Sequence, residues 1–305
     1  YATNEAGTAY GEQVSFTTLQ EGIVNSKAKF TINAAGDQVY FSQGNLQYIG
    51  SAATPYWKFA ENQWDYLSTN GSSATNVDRD LFGWGTSGWN NGNYFYQPYN
   101  ISQVTSGSYT SSNGYGYGPT DGSSYTFNLT GAYANADWGY NAISNGGNTT
   151  NTWRTLTGGI NNGEWGYLFL TRSASRVNET ANARYTKAKV NDVSGVILFP
   201  DSYTHPDGVT LPASINTSNA AYTANNYSGD DWTAMESAGA VFLPAAGQRN
   251  GTTVSYVGNR GRYWSSTYKD NDPTNAYYIG FASSFGSSTF LRCNGLSVRL
   301  VCPAE

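Results

Sequence analysis

The chain has 305 residues and a net charge of −5, and only 12% of its residues are charged while 15% are aromatic. The aromatic residues exclude a disordered chain, since disordered segments lack large apolar side chains. The excess of acids has the wrong sign for binding the phosphates of a nucleic acid. No apolar run approaches the roughly 18 residues of a membrane-spanning helix.

The composition therefore predicts a soluble, weakly acidic protein whose surface consists of Tyr, Ser, Thr, Asn and Gly. Surfaces of hydroxyl and amide groups are typical of secreted and cell-surface proteins, so an extracellular location is expected. A length prior of roughly 150 residues per domain allows one large domain or two.

The first 18 residues form a unit that is too short to bury a core. Strands are predicted at residues 1–3 and 13–17, and residues 19–28 are predicted to be a linker. Because the sequence opens inside a strand-like pattern, we expect an excised or processed N-terminus and an upstream domain of a longer protein.

The main domain is predicted over residues 29–305 and opens with a hairpin of strands 29–32 and 39–41 around Ala35-Gly36-Asp37. Residues 42–151 then form a long stretch rich in Gly, Asn, Ser and aromatic residues, without a fixed repeat. Loops of this length are uncommon unless they pack through their own side chains. We expect the aromatic residues to anchor this loop-rich insertion onto the core.

Two helices are predicted, at residues 163–172 after Asn161-Asn162 and at residues 230–238 after Ser228-Gly229, with Gly239 ending the second. Trp165, Leu168 and Phe169 share one face of the first helix. Further strands are predicted at residues 185–190, 196–199, 240–244, 263–267, 276–282, 289–291 and 296–301. The fold class is therefore predicted to be α+β, with a small mixed or antiparallel sheet.

The cysteines, Cys293 and Cys302, flank Asn294-Gly295, which is a strong signal for a hairpin turn. In such a hairpin Cys293 lies beside the turn and Cys302 at the far end of the returning strand. A disulfide requires Cα atoms within about 7 Å. Both thiols are therefore predicted to be free.

Several motifs along residues 29–301 carry a resemblance to a known family. They are Trp138-Gly139-Tyr140-Asn141, Trp153-Arg154-Thr155-Leu156-Thr157, Glu164-Trp165, the segment from Gly239 to Gly247, Tyr263-Trp264-Ser265-Ser266-Thr267 and Ser297-Val298-Arg299-Leu300-Val301. Together they resemble the C-type lectin fold, in the branch of formylglycine-generating enzymes and of the variable proteins of diversity-generating retroelements in Bacteroidota or their phages. Residues 1–18 resemble the end of a fibronectin type III-like domain.

The resemblance implies that variable, ligand-binding positions lie within residues 262–294, in a diversified segment over residues 258–301. The candidates are Arg262, Tyr268, Tyr278, Gly280, Ala282, Phe285, Ser287, Thr289, Phe290, Leu291 and, less strongly, Cys293. Asn271, Asn275 and Asn294 are interpreted as positions that keep the residue encoded by the template. The positions expected not to vary are Trp264, Ser265, Ser266, Ala276, Phe281 and residues 295–301.

Strand periodicity adds one geometric expectation for these candidates. Tyr278, Gly280 and Ala282 alternate with Ile279 and Phe281, so the first three are predicted to share one strand face. The alternative is that the aromatic residues of this segment are ordinary core and loop packing.

Catalytic chemistry finds little support in the residues. His205 is the only histidine and lies in a turn-like segment with Ser202 and Asp207, whereas a Ser-His-acid triad is assembled from separate elements. Two cysteines and one distant histidine cannot supply a structural zinc site, and their positions disfavour formylglycine-generating activity. Glu164 is the most distinctive acid for a glycosidase-type pair, but it stands at a helix start where a capping partner is expected.

Calcium is the one cofactor with a candidate site, and it is a weak one. Asp270, Asp272 and Asn275 offer the hard oxygen ligands that calcium takes. The Glu-Pro-Asn or Gln-Pro-Asp signature of calcium-dependent lectins is absent, and Gln97-Pro98-Tyr99 resembles it only superficially. The preferred alternative is a solvated Asx-rich turn closed by Pro273.

The sequence thus predicts a non-enzymatic protein, displayed on a bacterial surface or a phage particle, that binds a protein or a glycan through residues 262–294. One alternative is a structural adhesin, pilus-tip or spacer domain without a diversified site. A second is a formylglycine-type oxidase or a carbohydrate-active enzyme.

Overall fold

Short strands in small sheets make up most of the regular structure, with few helices. The computed structural model describes residues 2–4, 7–9, 20–67, 77–89, 127–159, 163–173 and 175–304. This mixture of helices and small sheets confirms the coarse α+β class. Among the described residues no helix is long and apolar enough to span a membrane.

The strands are β1 Ala2–Asn4, β2 Gly7–Ala9, β3 Phe30–Thr31, β4 Gln38–Phe41, β5 Leu46–Ile49, β6 Tyr56–Phe59, β7 Arg154–Thr155, β8 Arg176–Val177, β9 Thr180–Ala181, β10 Tyr185–Val190, β11 Val193–Leu198, β12 Asn226–Tyr227, β13 Val241–Pro244, β14 Gln248–Asn250, β15 Thr253–Ser255, β16 Gly261–Lys269, β17 Asp272–Phe281, β18 Phe285–Leu291 and β19 Leu300–Pro303. The α-helices are α1 Glu164–Gly166 and α2 Gly229–Ser237. Single 3-10 turns occur at Gly131–Ala136, Trp138–Tyr140 and Tyr222–Ala224.

Three sheets organise the described part of the main domain. One four-stranded sheet has the order β3-β4-β19-β7, and another has the order β12-β10-β11-β13. The third contains β16, β17 and β18 in sequence order, joined as antiparallel neighbours, and we call it the hairpin sheet. Because β19 lies between β4 and β7, the last strand closes the sheet that the first strands of the domain begin.

Local signals account for the two helices. Helix α2 begins at a capping box, in which Ser228 Oγ accepts from the Asp231 backbone N–H while the Asp231 carboxylate accepts from Ser228 N. It is followed by Gly239 at φ +96°, a conformation that favours glycine. Helix α1 begins after Gly163 and continues as a π-helical turn, Tyr167–Thr171. The predicted Asn161-Asn162 cap lies outside the described residues.

The described parts of the 42–151 insertion share one hydrophobic cluster with the hairpin sheet and the C-terminal segment. This first cluster includes Leu46, Trp57, Phe59, Phe82, Trp84, Leu129, Trp138 and Ile143 beside Trp264, Ala276, Leu296, Val298 and Leu300. Two tryptophans tie the parts together, since Trp84 Nε1 donates to Ser265 O and Trp264 Nε1 donates to Phe82 O, each at 2.7 Å. The predicted anchoring role is confirmed for these aromatic residues.

Two further clusters complete the core. The second packs α1 and its π-helical turn against the hairpin sheet and includes Trp165, Leu168, Phe169, Tyr263, Ile279 and Phe281. The third lies between α2 and the β10–β13 sheet and includes Trp232, Met235, Val190, Ile197 and Phe242. The predicted buried face of the first helix is therefore confirmed.

The predicted hairpin at Asn294-Gly295 is wrong. The chain turns two residues earlier, at Arg292-Cys293, where Asn294 N donates to Leu291 O, and Gly295 forms a bridge with Arg249. A Cβ on Gly295 would lie 2.7 Å from Leu81 O, so this glycine serves a close approach of backbones. The returning strand of the sequence prediction, residues 296–301, does not pair with β18, because β19 begins at Leu300 and pairs with β4 and β7.

Cys293 and Cys302 nevertheless form no disulfide, as predicted, and both side chains are buried. At the N-terminus, Ala2 pairs with Ala9 and Asn4 with Gly7 in a small hairpin, while the strand predicted at residues 13–17 lies outside the described residues. The predicted linker is packed on the domain from Gln20 onward, since Val24 N donates to Phe41 O and Ala28 is 1% exposed.

Candidate ligand-binding site

The two faces of the hairpin sheet differ at the end of the sheet that carries the β17–β18 turn. Strand register places Arg262, Gly280 and Gly286 side by side across the three strands. Tyr278 and Ser288 also stand opposite each other, two residues further from the β17–β18 turn. We call the face that carries these five residues the open face. The predicted sharing of one face by Tyr278 and Gly280 is confirmed, because the intervening Ile279 and Phe281 are buried in the second cluster. Ala282 lies beyond the end of β17, in the turn.

A pocket of about 340 Å³ opens at this end of the sheet. Its volume is at the small end of the range of ~300–1,000 Å³ found for small-molecule sites. It is lined by Arg260, Gly261, Arg262, Tyr278, Gly280, Phe281, Ala282, Ser283, Ser284, Phe285, Gly286, Ser287 and Ser288. The structure thus brings together six of the predicted binding residues: Arg262, Tyr278, Gly280, Ala282, Phe285 and Ser287.

Arg262 is the most distinctive side chain of the pocket. Its guanidinium lies 5.1 Å from the ring centroid of Tyr278 and 4.6 Å from that of Phe290, within the range of cation–π contacts. Phe290 does not line the pocket but packs against the arginine. No described residue accepts a hydrogen bond from the guanidinium, and its Nη1 is buried without a partner. Burial lowers the pKa of Arg262 below the ordinary value of an arginine, since the charge is poorly solvated.

The glycines at the base of the pocket show where it has free space. A Cβ added to Gly286 would meet nothing within 4 Å, whereas one added to Gly280 would lie 2.7 Å from Cε2 of Tyr278. On the opposite face, a Cβ on Gly261 would lie 2.0 Å from Cζ of Phe281. The free space above the sheet is therefore confined to the open face near Gly286.

Side chains from distant segments hold the tip of the hairpin in place. Lys187 on β10 donates to the backbone carbonyl of Ala282, and the hydroxyl of Tyr222 donates to that of Asn259 at 2.9 Å. The Lys187 ammonium also lies 5.3 Å from the ring centroid of Tyr222, and burial lowers its pKa. Sequence reasoning missed these supports and Arg260, since no local pattern marks a contact across so many residues.

Four of the predicted binding residues lie on the other face of β18. Phe285, Ser287, Thr289 and Leu291 stand opposite Phe281, Ile279, Tyr277 and Asn275, respectively. Phe285 packs 4.0 Å from the ring centroid of Phe169 and 4.9 Å from that of Tyr185. Strand alternation therefore divides the candidates between two faces, although Phe285 and Ser287 of this second face also line the pocket.

Two open-face candidates also contribute to packing. Tyr278 is only 9% exposed and belongs to the first cluster, and Phe290 packs against it. Tyr268 is half-buried, and its backbone N–H donates to Oδ1 of Asn128, away from the pocket lining. Core packing, the alternative interpretation, thus holds in part for Tyr278 and Phe290.

The weak calcium candidate has a self-contained hydrogen-bond network. The Asp272 carboxylate accepts from Thr274 Oγ1 at 2.7 Å, from Asn275 Nδ2 at 2.8 Å and from Lys269 Nζ at 3.1 Å. Burial opposes ionisation, but these donors together lower the pKa of Asp272 to about 2. Asp270 is exposed. The arrangement favours the Asx-rich turn, because a cation would have to displace the donors around Asp272.

The groups considered for catalysis have structural partners. His205 Nε2 donates to the carbonyl of Val209 and Nδ1 accepts from the hydroxyl of Tyr203, each at 3.1 Å. Glu164 forms a bidentate pair with Arg154, with both contacts at 2.7 Å, and accepts from Thr157 N at the start of α1. Within the part of the chain that the structure describes, no three His, Cys, Asp or Glu residues cluster as metal ligands.

The cysteines lie in the interior rather than in a cleft. Cys293 is 2% and Cys302 3% exposed, and both belong to the first cluster. Burial raises the pKa of the Cys302 thiol to about 12, so it is protonated near neutral pH. No protein-family model, curated protein or solved structure matches this chain. Function is therefore inferred from the chemistry of the pocket.

Proposed function

We propose that the chain is a non-enzymatic, surface- or phage-displayed protein of C-type lectin-like fold, which binds its ligand in the pocket at the tip of the hairpin sheet. One observation carries this proposal: six predicted binding residues line a single pocket, among them an arginine with unused hydrogen-bond donors. A binding site needs convergent polar groups in a concave surface, and the pocket offers both.

The placement of the sequence motifs supports the proposed branch of the fold. Trp264-Ser265-Ser266-Thr267 lies on β16, beside the Gly295-to-Arg299 segment, and Trp264 N donates to Ser297 O at 3.0 Å. The two most specific motifs are therefore neighbours, and the candidate binding residues lie on the chain between them. Ligand-contacting side chains could vary there while the paired motifs keep the sheet in place.

Diversification by a retroelement is the genetic part of the proposal. All residues that line the pocket fall between Arg260 and Ser288, inside the expected variable segment of residues 258–301. The coding DNA is expected to have a near-repeat of this segment beside a reverse transcriptase gene, with differences at adenines of the template. A genome with neither feature would contradict diversification and favour a fixed structural domain.

Binding is tested by filling the pocket. A Cβ on Gly286 meets no atom within 4 Å and Gly286 lines the pocket, so Gly286→Trp is expected to fill the pocket without unfolding the sheet. Labelled wild type and variant are applied to a glycan array and to a phage-displayed random peptide library. Ligands that wild type retains should be lost by Gly286→Trp.

The matched control is Gly229→Trp at the first turn of α2, where an added Cβ also has space, with Asn191 Oδ1 at 3.9 Å. This variant should bind like wild type, and urea unfolding should show that both variants are folded and no less stable than wild type. If every ligand binds equally to Gly286→Trp, the pocket is not the binding site and the proposal fails.

A further inference from the structure

The pocket differs in charge from the rest of the protein. The chain carries 21 acidic and 16 basic residues, yet of the described residues that line the pocket two are arginines and none is acidic. Arg260 stacks on Tyr256, 3.7 Å from the ring centroid, and Arg262 stacks on Tyr278 and Phe290. Such stacking fixes the planes of the two guanidinium groups and leaves their N–H donors without described acceptors.

A bound anion would resolve the unfavourable position of Arg262. A half-buried charge without a hydrogen-bonded counterion is costly, and a carboxylate, like a phosphate, matches the geometry of the guanidinium fork. The protein supplies no carboxylate at this position. The fixed aromatic neighbours pre-organise the arginine, so a carboxylate on the ligand would be bound with little loss of side-chain entropy.

The remaining lining points to a polyhydroxylated ligand. Four serines line the pocket, Ser283 and Ser284 in the turn and Ser287 and Ser288 on β18, and their hydroxyls form no hydrogen bond with any described residue. The Tyr278 hydroxyl is likewise without a described partner. Hydroxyls both donate and accept, which is what the hydroxyl groups of a sugar require. An aspartate or glutamate side chain would satisfy Arg262 but would leave these serine hydroxyls unused.

The floor suits a ring. No atom lies within 4 Å of a Cβ position on Gly286, whereas the ring of Tyr278 covers the neighbouring Gly280. A pyranose ring could therefore lie against the backbone of β18 at Gly286, beside the aromatic ring of Tyr278. The pocket volume of about 340 Å³ is appropriate for one or two sugar units rather than for a long segment of polypeptide.

We infer that the pocket binds an acidic sugar unit of a glycan, with Arg262 receiving the sugar carboxylate and the serines its hydroxyls. This inference rests on the proposed binding function of the same pocket and names the ligand class. No metal ion takes part in the contact, because the arginine supplies the positive charge.

The experiment compares acidic oligosaccharides with neutral ones of the same skeleton. Oligomers of galacturonate, glucuronate and mannuronate are titrated by calorimetry into the full chain, each beside its carboxyl-reduced counterpart. At least one acidic oligomer is expected to bind about tenfold or more tightly than its neutral form, as for one charge-assisted contact. Arg262→Gln should abolish that preference, and Arg262→Lys should retain part of it.

Arg176→Gln is the matched control, since Arg176 is an exposed arginine outside the pocket and pairs only with Glu179 at the surface. It should keep the acidic preference of wild type. Urea unfolding of each variant checks that the chain is folded, so a loss of binding in a folded Arg262→Gln variant is specific.

Two results would overturn the inference. One is that no acidic oligomer binds more tightly than its neutral counterpart, or that Arg262→Gln leaves the preference intact. The other is that polyglutamate binds in an Arg262-dependent manner while no acidic sugar does, which would make the ligand an acidic peptide. In the second case ligands would still be lost by Gly286→Trp, so the proposed function would survive the failure of this inference.

Discussion

The two faces of the hairpin sheet are built from alternate residues of the same strands, yet they have opposite packing. On the core face, the ring of Phe281 covers Gly261 and stacks on Phe285, and Phe281 is 2% exposed. On the open face, Gly286 has free space above it and Arg262 lacks a hydrogen-bond acceptor. At this end of the sheet the core face is therefore closely packed, while the open face is packed at Tyr278 and leaves free space beside Gly286.

Removing the Phe281 side chain should have the largest effect. Phe281→Ala leaves a cavity between Tyr263 and Phe285 and is expected to lower the free energy of unfolding by about 3–5 kcal/mol. Ser288→Ala on the open face should change it by less than ~0.5 kcal/mol. Urea unfolding followed by circular dichroism measures both, and equal effects would refute the division between the faces.

A pair of glycine substitutions compares the faces with the same added group. Gly261→Ala places a Cβ 2.0 Å from Cζ of Phe281 and should destabilise the fold by about 1–3 kcal/mol. Gly286→Ala meets no atom within 4 Å, and removing a strand glycine should stabilise the fold by about 0.5–1 kcal/mol. The sign of the change in unfolding free energy is the readout. A destabilising Gly286→Ala would show that the open face is packed.

Replacing Arg262 by an apolar residue of similar length should separate stability from binding. Arg262→Met keeps contacts with Tyr278 and Phe290 and removes a charge that burial disfavours. The free energy of unfolding is therefore expected to change by less than ~1 kcal/mol, toward higher stability. Thermal unfolding checks this value, and a clear loss of stability would mean that the guanidinium is needed by the fold.

The smallest effect is expected at the other end of the hairpin sheet, where the Asp272 network satisfies its own polar groups. The pKa of Asp272 in the folded chain is about 2, below the ordinary 3.8, so ionised Asp272 stabilises the fold above about pH 4. This contribution is lost as the pH falls toward 2. Urea unfolding between pH 2 and 6 should show a shallower pH dependence for Asp272→Asn than for wild type. Identical slopes would mean that the donors around Asp272 do not favour its charged form.

The elements that the sequence predicts well are those with local signals. Helix α2 has Ser228 and Asp231 at its start and Gly239 after its end, and each acts through neighbouring backbone groups. The Asn294-Gly295 prediction fails for the opposite reason. Gly295 is required by the approach of Arg249 and Leu81, and the dipeptide does not reveal a contact with so distant a segment.

The pocket was predictable only in part, for a similar reason. A period of two places Tyr278 and Gly280 on one face, because alternation is a property of any strand. It does not reveal that Phe285 packs on Phe169 and Tyr185, which depends on how α1 and β10 meet the hairpin sheet.

Buried arginines are a second feature that composition conceals. A low content of charged residues suggests that the few present lie on the surface, but several arginines are fully buried: Arg79, Arg172, Arg249, Arg292 and Arg299. Arg299 donates to Gln63 Oε1 at 2.6 Å, and burial lowers its pKa to about 10. These contacts join segments far apart in the chain, so a local pattern cannot indicate them.

The two distant supports of the hairpin tip have one further consequence. The hydrogen bonds of Lys187 and Tyr222 go to backbone carbonyls, those of Ala282, Asn259 and Phe281. Every amino acid has a carbonyl, so these supports do not depend on which side chains the tip displays. A tip of the same length but different sequence would therefore still offer acceptors to Lys187 and Tyr222, provided that aromatic residues at positions 281 and 285 keep the packing on the core face.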